Sequence, residues 1–275
     1  MNVDLGWARV ALLPSAPYSI HYEAHWCVLG LAFERQRGVH AMGGDRRQDF
    51  DAWPGELAFT APGVDVFSES GKGGEYLTMH LTGIAPDMKL DESWSVPRTV
   101  FHGDRQAVQL GWYLRRLMLA SQPQFQPIEV QAAMLLDHSL SRLKLPRRTP
   151  GRYDLERKLH SRVLEYIDDA IDGTLGLDEL ARVAGMPVLR FLRSFSSAVG
   201  CTPHVYVTER RLQRARTLLR STNDPVASIA ADCGFAHQSH LGAALKERLG
   251  LSPCQYRTLA GQVPSFANKN SPMSV

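Results

Sequence analysis

Residues 178 to 257 carry one pattern twice. The first copy runs DELARVAGM, LRFLRSF, AVGCTPHVY; the second runs VASIAADCGF, SHLGAALKERLG, LSPCQY. With Gly185 set against Gly234, Ala181 and Ala230 each stand four residues earlier. Gly200 and Gly250 follow 15 and 16 residues on, Pro203 and Pro253 three beyond those, and Tyr206 and Tyr256 three beyond again. An offset of 49 to 50 residues means that this part of the chain must build one supersecondary unit twice.

Each copy predicts a short amphipathic helix ending at Gly185 or Gly234, where a residue free to take positive φ is favoured. A second helix follows over about 187–199 and about 237–249. Helix, short glycine turn, helix is the helix-turn-helix unit, whose second helix can lie in a DNA major groove. A single copy is equally an all-helical bundle with glycine C-caps; two copies in register favour DNA binding. The joining segment TERRLQRARTLLR (208–220) predicts a helix with Leu212, Ala215 and Leu219 on its apolar stripe. Arg210, Arg211, Arg214, Arg216 and Arg220 stand against the single acid Glu209, a one-signed face suited to phosphates. The alternative is a solvated linker helix.

The segments ELARVAGM, FLRSFSSAVGCTPHVY, RRLQRARTLL, IAADCGF and QSHLGAALKERLGLSPCQYR, over about 152–260, resemble the AraC/XylS family of bacterial transcription regulators. The resemblance implies a seven-helix module with two helix-turn-helix units, and a regulator that in most members activates transcription by contacting RNA polymerase.

Side-chain chemistry then nominates the DNA readers. If Phe191 and Phe195 face the core, Leu189, Arg190, Leu192, Arg193 and Ser196 lie opposite. Arg193 is the best base reader, because Arg pairs bidentately with guanine; Arg190 suits a phosphate, and Leu192 a thymine methyl. In the second unit Gln238, Ser239 and His240 lie at the N-terminal end of the helix, with Lys246 suited to phosphate. Arg210 and Arg214 are the expected phosphate contacts of the joining helix. Leu192 departs from the polar residue that the family often carries there, and either packs on a thymine methyl or leaves that position silent; Ala243 stands where many members have arginine, so the second unit is expected to read bases less.

Charge is uneven along the chain. Residues 1–150 hold 15 basic and 16 acidic residues, whereas the remainder holds 16 and 12, which puts the basic surplus in the duplicated half. Cys27, Cys201, Cys233 and Cys254 form no CxxC pair and are expected to be reduced, packing cysteines. There is no basic-then-apolar leader, and the longest apolar run, WCVLGLAF, is too short to span a bilayer. A cytoplasmic protein without membrane contact is expected.

The first half reads as short strands punctuated by turns at Gly43-Gly44, Pro54-Gly55 and Pro62-Gly63. Strands are expected at 8–13, across 21–34 (one or a bent pair), and at 48–53, 57–60, 64–67 and 75–81. Such spacing indicates an antiparallel barrel or sandwich. WPGELAFTAPGV resembles the cupin-like sensor domains of many family members, which implies a barrel enclosing a small effector. His21, Tyr22, His25, Trp26, Tyr76 and His80 are the side-chain types such a pocket uses. His21, Glu23 and His25 would share one strand face, a conceivable ligand set, but the paired cupin metal motif is absent, so neither metal nor cofactor is expected. Two amphipathic helices follow, over about 104–120 and 128–145, either covering the sheet or forming a dimer interface.

The expected class is α+β. An antiparallel β-barrel with two helices (1–145), for effector sensing and dimerisation, is followed by a linker (146–152), an all-α seven-helix DNA-binding domain (153–262) and a patternless tail (263–275). The expected function is a non-enzymatic regulator, an activator responding to a small-molecule effector. Its expected partners are double-stranded DNA at two half-sites, RNA polymerase and a second copy of the chain. The alternatives are a ligand-independent regulator whose barrel dimerises or meets a protein partner, and a cupin enzyme carrying a DNA-binding module.

Overall fold

A computed structural model describes residues 1–82, 96–120, 122–143 and 153–262, with side chains from 160 to 259 in the last segment. The expected linker and tail lie outside these residues. The chain divides into two compact units: Met1–Met118 with Pro123–Tyr153 and Arg193–Cys201, and Leu119–Gln122 with Asp154–Leu192 and Thr202–Val275.

The first unit holds ten described strands: β1 (Asn2–Asp4), β2 (Arg9–Leu13), β3 (Tyr18–Ala24), β4 (Val28–Ala32), β5 (Gln36–Met42), β6 (Gln48–Ala52), β7 (Leu57–Thr60), β8 (Val64–Ser70), β9 (Tyr76–His80) and β10 (Arg98–Phe101). Pairing is antiparallel throughout. One sheet runs β1-β2-β9-β4-β7-β10 and the other β3-β8-β5-β6. Among the described residues no pairing joins the two, so the expected barrel is corrected to two facing sheets. The turn chemistry explains this. Trp53-Pro54-Gly55-Glu56 carries the chain from β6 to β7, and Pro62-Gly63 carries it back to β8, so each turn changes sheet instead of letting one strand bend through both.

Helices α1 (Arg105–Met118) and α2 (Phe125–Leu143) follow. The second starts earlier than expected, because Pro127 sits in its first turn, where a proline costs no hydrogen bond. Asp104 caps α1, accepting from Ala107 N–H at 3.0 Å, and ties α2 to it through His138 Nε2 at 2.8 Å and Arg142 Nε at 3.0 Å. Gly111 brings α1 against the six-stranded sheet; a Cβ there would stand 2.1 Å from Leu31 Cδ2. The odd-numbered face of β9 (Leu77, Met79) is buried with Leu29, Leu31, Leu57 and Phe59.

Arg115 on α1 is fully buried and pairs with Glu75 at 3.0 Å, its guanidinium 4.9 Å over the Phe33 ring. Removing one member of a buried pair strands the other.

The second unit is helical: α3 (Tyr153–Asp169), α4 (Leu177–Val183), α5 (Val188–Val199), α6 (Pro203–Ser221), α7 (Val226–Asp232), α8 (Gln238–Leu249) and α9 (Pro253–Gln262). These are the seven expected helices, and the division between the units passes through α5. Leu212, Ala215 and Leu219 of α6 are buried in one cluster with Ile229, Leu241, Leu245 and Tyr256. No helix among the described residues is long and apolar enough to cross a membrane.

Glu75→Ala should cost about 3–5 kcal/mol of stability, whereas Arg115→Met combined with Glu75→Leu should recover most of it. Urea midpoints of the two variants test this; equal losses would mean that the pair is not what the pocket accommodates.

Candidate nucleic-acid interface

The two helix pairs close through the same bonds. At the end of α4, Gly185 takes φ +63°, its N–H donates to Arg182 O at 3.0 Å, and Met186 N–H donates to Ala181 O at 3.0 Å. At the end of α7, Gly234 takes φ +73°, its N–H donates to Ala231 O at 2.9 Å, and Phe235 N–H donates to Ala230 O at 2.9 Å. This is the left-handed cap that satisfies the orphan carbonyls of a helix end. Cys233 is buried beside the second cap and its thiol is pushed up to about 11, chiefly by burial, which suits a packing cysteine. The repeat continues past α5 and α8. Tyr206 N–H donates to Thr202 O and Tyr256 N–H to Ser252 O, both at 2.9 Å, with Thr202 and Ser252 hydroxyls capping α6 and α9.

On α5, Phe191, Phe195 and Val199 are buried as expected, while Leu189 (70% exposed), Arg190 and Arg193 face solvent. Ser196 is half-buried. Leu192 is also half-buried and lines a recess of about 480 Å³ with Leu177, Leu180, Val207 and Arg211. On α8, Leu241, Leu245 and Leu249 are buried, and Gln238, Ser239, His240, Ala243 and Lys246 are exposed. The His240 ring stands edge-on to Phe235 at 5.2 Å, so it props the turn as well as facing outward.

The arginines of α6 do not form the one-signed face that the sequence suggests. Arg216 is buried, its Nε donating to Tyr256 Oη at 3.2 Å. Arg211 donates to Ile171 O at 3.0 Å and Gly173 O at 2.6 Å, just past the C-terminus of α3, where a cation is favoured. Arg210 Nε donates to Asp168 at 2.8 Å, and its Nη1 bonds Gln213. Arg214 and Arg220 remain exposed. Helical periodicity places these five all round the helix, and the acid that binds Arg210 and the carbonyls that bind Arg211 lie about 40 residues away, beyond any local pattern.

In the first unit the expected pocket residues separate. Tyr22, Tyr76 and His80 come together between the sheets, the Tyr22 and His80 rings 6.4 Å apart. His21 lies on the outer face of β3, paired with Asp65 at 3.0 Å. His25 and Trp26 are exposed in the turn after β3 ends at Ala24, so His21, Glu23 and His25 do not share a strand face. Among the described residues no group of three His, Cys, Asp or Glu is placed to hold a metal. Arg98, Tyr18, Gln36, His40 and Ser68 also line this space and escaped the sequence reading; the alternation of Arg98-Thr99-Val100-Phe101 after Pro97 was the signal for β10.

A helix-turn-helix domain family matches residues 180–258. The chain is 34% identical over 100 residues to the HTH-type transcriptional regulator MtrA of Neisseria gonorrhoeae, covering 36% of this chain and 33% of that protein. It is 30% identical over 95 residues to the regulatory protein SoxS of Salmonella typhimurium, covering 34% of this chain and 89% of that protein. The chain spans about a third of the length of the first curated relatives it matches. Among solved structures, an AraC-type transcriptional regulator from Chromobacterium violaceum is similar at 25% identity and a TM-score of 0.37, over 38% of this chain and 95% of that one.

The two turn glycines are equivalent in φ but not in surroundings. A Cβ on Gly185 meets nothing within 4 Å, whereas one on Gly234 would stand 2.6 Å from Ile171 O. Gly185→Ala should therefore cost only the left-handed strain, ~1–2 kcal/mol, and Gly234→Ala clearly more. Equal shifts in thermal midpoint would contradict the packing of the second turn on the loop after α3.

Proposed function

Because the chain belongs to the AraC/XylS family of transcription regulators, we propose that it is a sequence-specific DNA-binding regulator that answers to a small molecule held between the sheets of its first unit. The observation that carries the reading is the pair of matching turns, each followed by a helix whose N-terminal half is exposed. Leu189, Arg190 and Arg193 then face one stretch of DNA, and Gln238, Ser239 and His240 the next, about one turn (~34 Å) along. Arg193 reads a base, as the residue able to bond guanine O6 and N7 together. Arg190 and Lys246 take phosphates, with Ser196 at the edge of the contact. Leu192 contributes apolar contact at most, since part of its surface lines the recess.

Among the α6 arginines, Arg214 takes the phosphate role. Arg210 approaches the DNA only while held by Asp168 and Gln213, so it serves position more than charge. Double-stranded DNA with two half-sites is the partner, and RNA polymerase the expected target of activation.

Dimerisation completes the reading. Tyr113 on α1 and Phe125, Val130 and Met134 on α2 are each more than half exposed. Apolar side chains gathered on two adjacent helices fit a two-fold contact, in which the same patch serves both copies.

Selection from a random DNA library with the full-length chain should enrich a bipartite site. Arg193→Ala should relax one base position by ~1–3 kcal/mol, and Arg214→Ala should weaken all sequences alike and flatten the salt slope by about 1. Unchanged base preference in Arg193→Ala would remove α5 from readout. Val130→Glu with Met134→Glu should halve the mass measured by sedimentation; a dimer that survives both changes forms elsewhere.

A further inference from the structure

Several side chains that face the space between the two sheets stay partly exposed. On β9, Tyr76, Thr78 and His80 are half-buried, whereas Leu77 and Met79 on the other face of the same strand are fully buried. Ile20 and Val100 lie by alternation on the inner faces of their sheets, yet are 42% and 37% exposed. Ala24, Val28, Val64 and Val66 close one end with apolar contacts to Tyr22 and Met42. The rest is polar and aromatic. The Tyr18 hydroxyl donates to Gln36 Oε1 at 3.3 Å and shares a bond with Ser68 Oγ at 3.1 Å. The Tyr76 ring lies across Gly30, where a Cβ would stand 2.1 Å from its hydroxyl.

Arg98 enters this space from β10, opposite Thr60 in the sheet register. Among the described residues its hydrogen bonds go to two neutral oxygens, Nη1 to Thr60 Oγ1 at 3.2 Å and Nη2 to Tyr76 Oη at 3.3 Å. A guanidinium has five N–H donors in a planar fork. The other interior arginines of this unit each have a carboxylate: Arg35 has Asp51 at 2.7 and 2.6 Å through two donors, and Arg115 has Glu75 at 3.0 Å. Among the described residues no carboxylate stands within 4.0 Å of Arg98. Burial opposes its charge, while Tyr76 and, at longer range, Glu56 favour it, and the net effect raises its pKa. Glu56 is itself engaged by His102 at 3.5 Å. A withdrawn cation without an ion-pair partner is costly unless a counter-charge arrives.

We propose that this inter-sheet space binds a small monocarboxylic acid, its carboxylate pairing with the Arg98 guanidinium and its body lying among Tyr18, Tyr22, Tyr76 and His40. The inference rests on the effector reading above and gives that effector a chemical class. Carboxylate matches the fork of Arg in two parallel bonds. A doubly charged phosphate would require a second cation. His40 and His80 are poorly suited to supply one, because burial first, with Arg98 and Arg9 respectively, lowers their pKa values and disfavours their charged forms.

The test is calorimetric titration of the full-length chain with benzoate, 3-phenylpropionate and hexanoate, each beside its primary amide. At least one acid should bind about tenfold or more tightly than its amide. Arg98→Met should remove that preference, and Arg98→Lys should retain part of it. The comparison of acid with amide on the parent protein needs no variant, and circular dichroism checks that the variants fold. Amides binding as well as their acids, or Arg98→Met binding the acid like the parent, would overturn the proposal. If the amides bind and Tyr76→Ala abolishes that binding, the effector reading stands and the acid class falls. If no compound binds at millimolar concentration, both fall.

Discussion

A helix that must turn within four or five residues and begin another has one economical solution, a left-handed residue whose N–H and whose successor's N–H reach back to the orphan carbonyls. Gly185 and Gly234 provide it twice, with matching bonds from Met186 to Ala181 and from Phe235 to Ala230. Everything in the proposed reading of DNA depends on those turns. They set the angle at which α5 and α8 leave, and so decide that Arg193 and Gln238 stand in solvent while Phe191 and Leu241 turn inward. Glycine at these positions is a backbone requirement. At Gly234 it is also a packing requirement, since the loop after α3 leaves no room for a Cβ.

The first unit is organised by an asymmetry between the two faces of its larger sheet. One face is apolar and carries α1 through the close approach at Gly111, with the buried Arg115–Glu75 pair beside it. The hydrophobic burial that holds this unit together therefore lies between sheet and helices. The opposite face is free to be polar and incompletely packed. That freedom allows an arginine whose hydrogen bonds, among the described residues, go to neutral oxygens, a feature that a packed core would not tolerate.

In the proposed regulator, these two designs meet through population shift. An effector that binds the inter-sheet space more tightly in one arrangement of the protein than in another favours that arrangement by the difference in affinity and no more. The positive group offered to that effector and the positive groups offered to DNA are of one chemical kind. They differ in surroundings, Arg98 being withdrawn between sheets and Arg193 and Arg214 standing in water.

The duplicated helices were legible from sequence because the signals are local. Glycine at a cap, proline in a first turn and leucines at helical spacing act within a few residues, and the observed helices follow them closely. Strands at 48–52, 57–60 and 76–80 were legible for the same reason. What lay beyond the sequence were the partners of charged side chains. Arg210, Arg211 and Arg216 look alike in a row, but Asp168, the carbonyls of Ile171 and Gly173, and Tyr256 claim them from some 40 residues away. The sheets followed the same division. Alternation predicts that Tyr76 and His80 share a face, yet only the assembled sheets decide that this face meets Tyr18, Tyr22 and Arg98 while His21 and His25 turn away. Local backbone chemistry is written within a few residues; the environment of a charge is set by contacts distant in the chain, and only folding brings those contacts together.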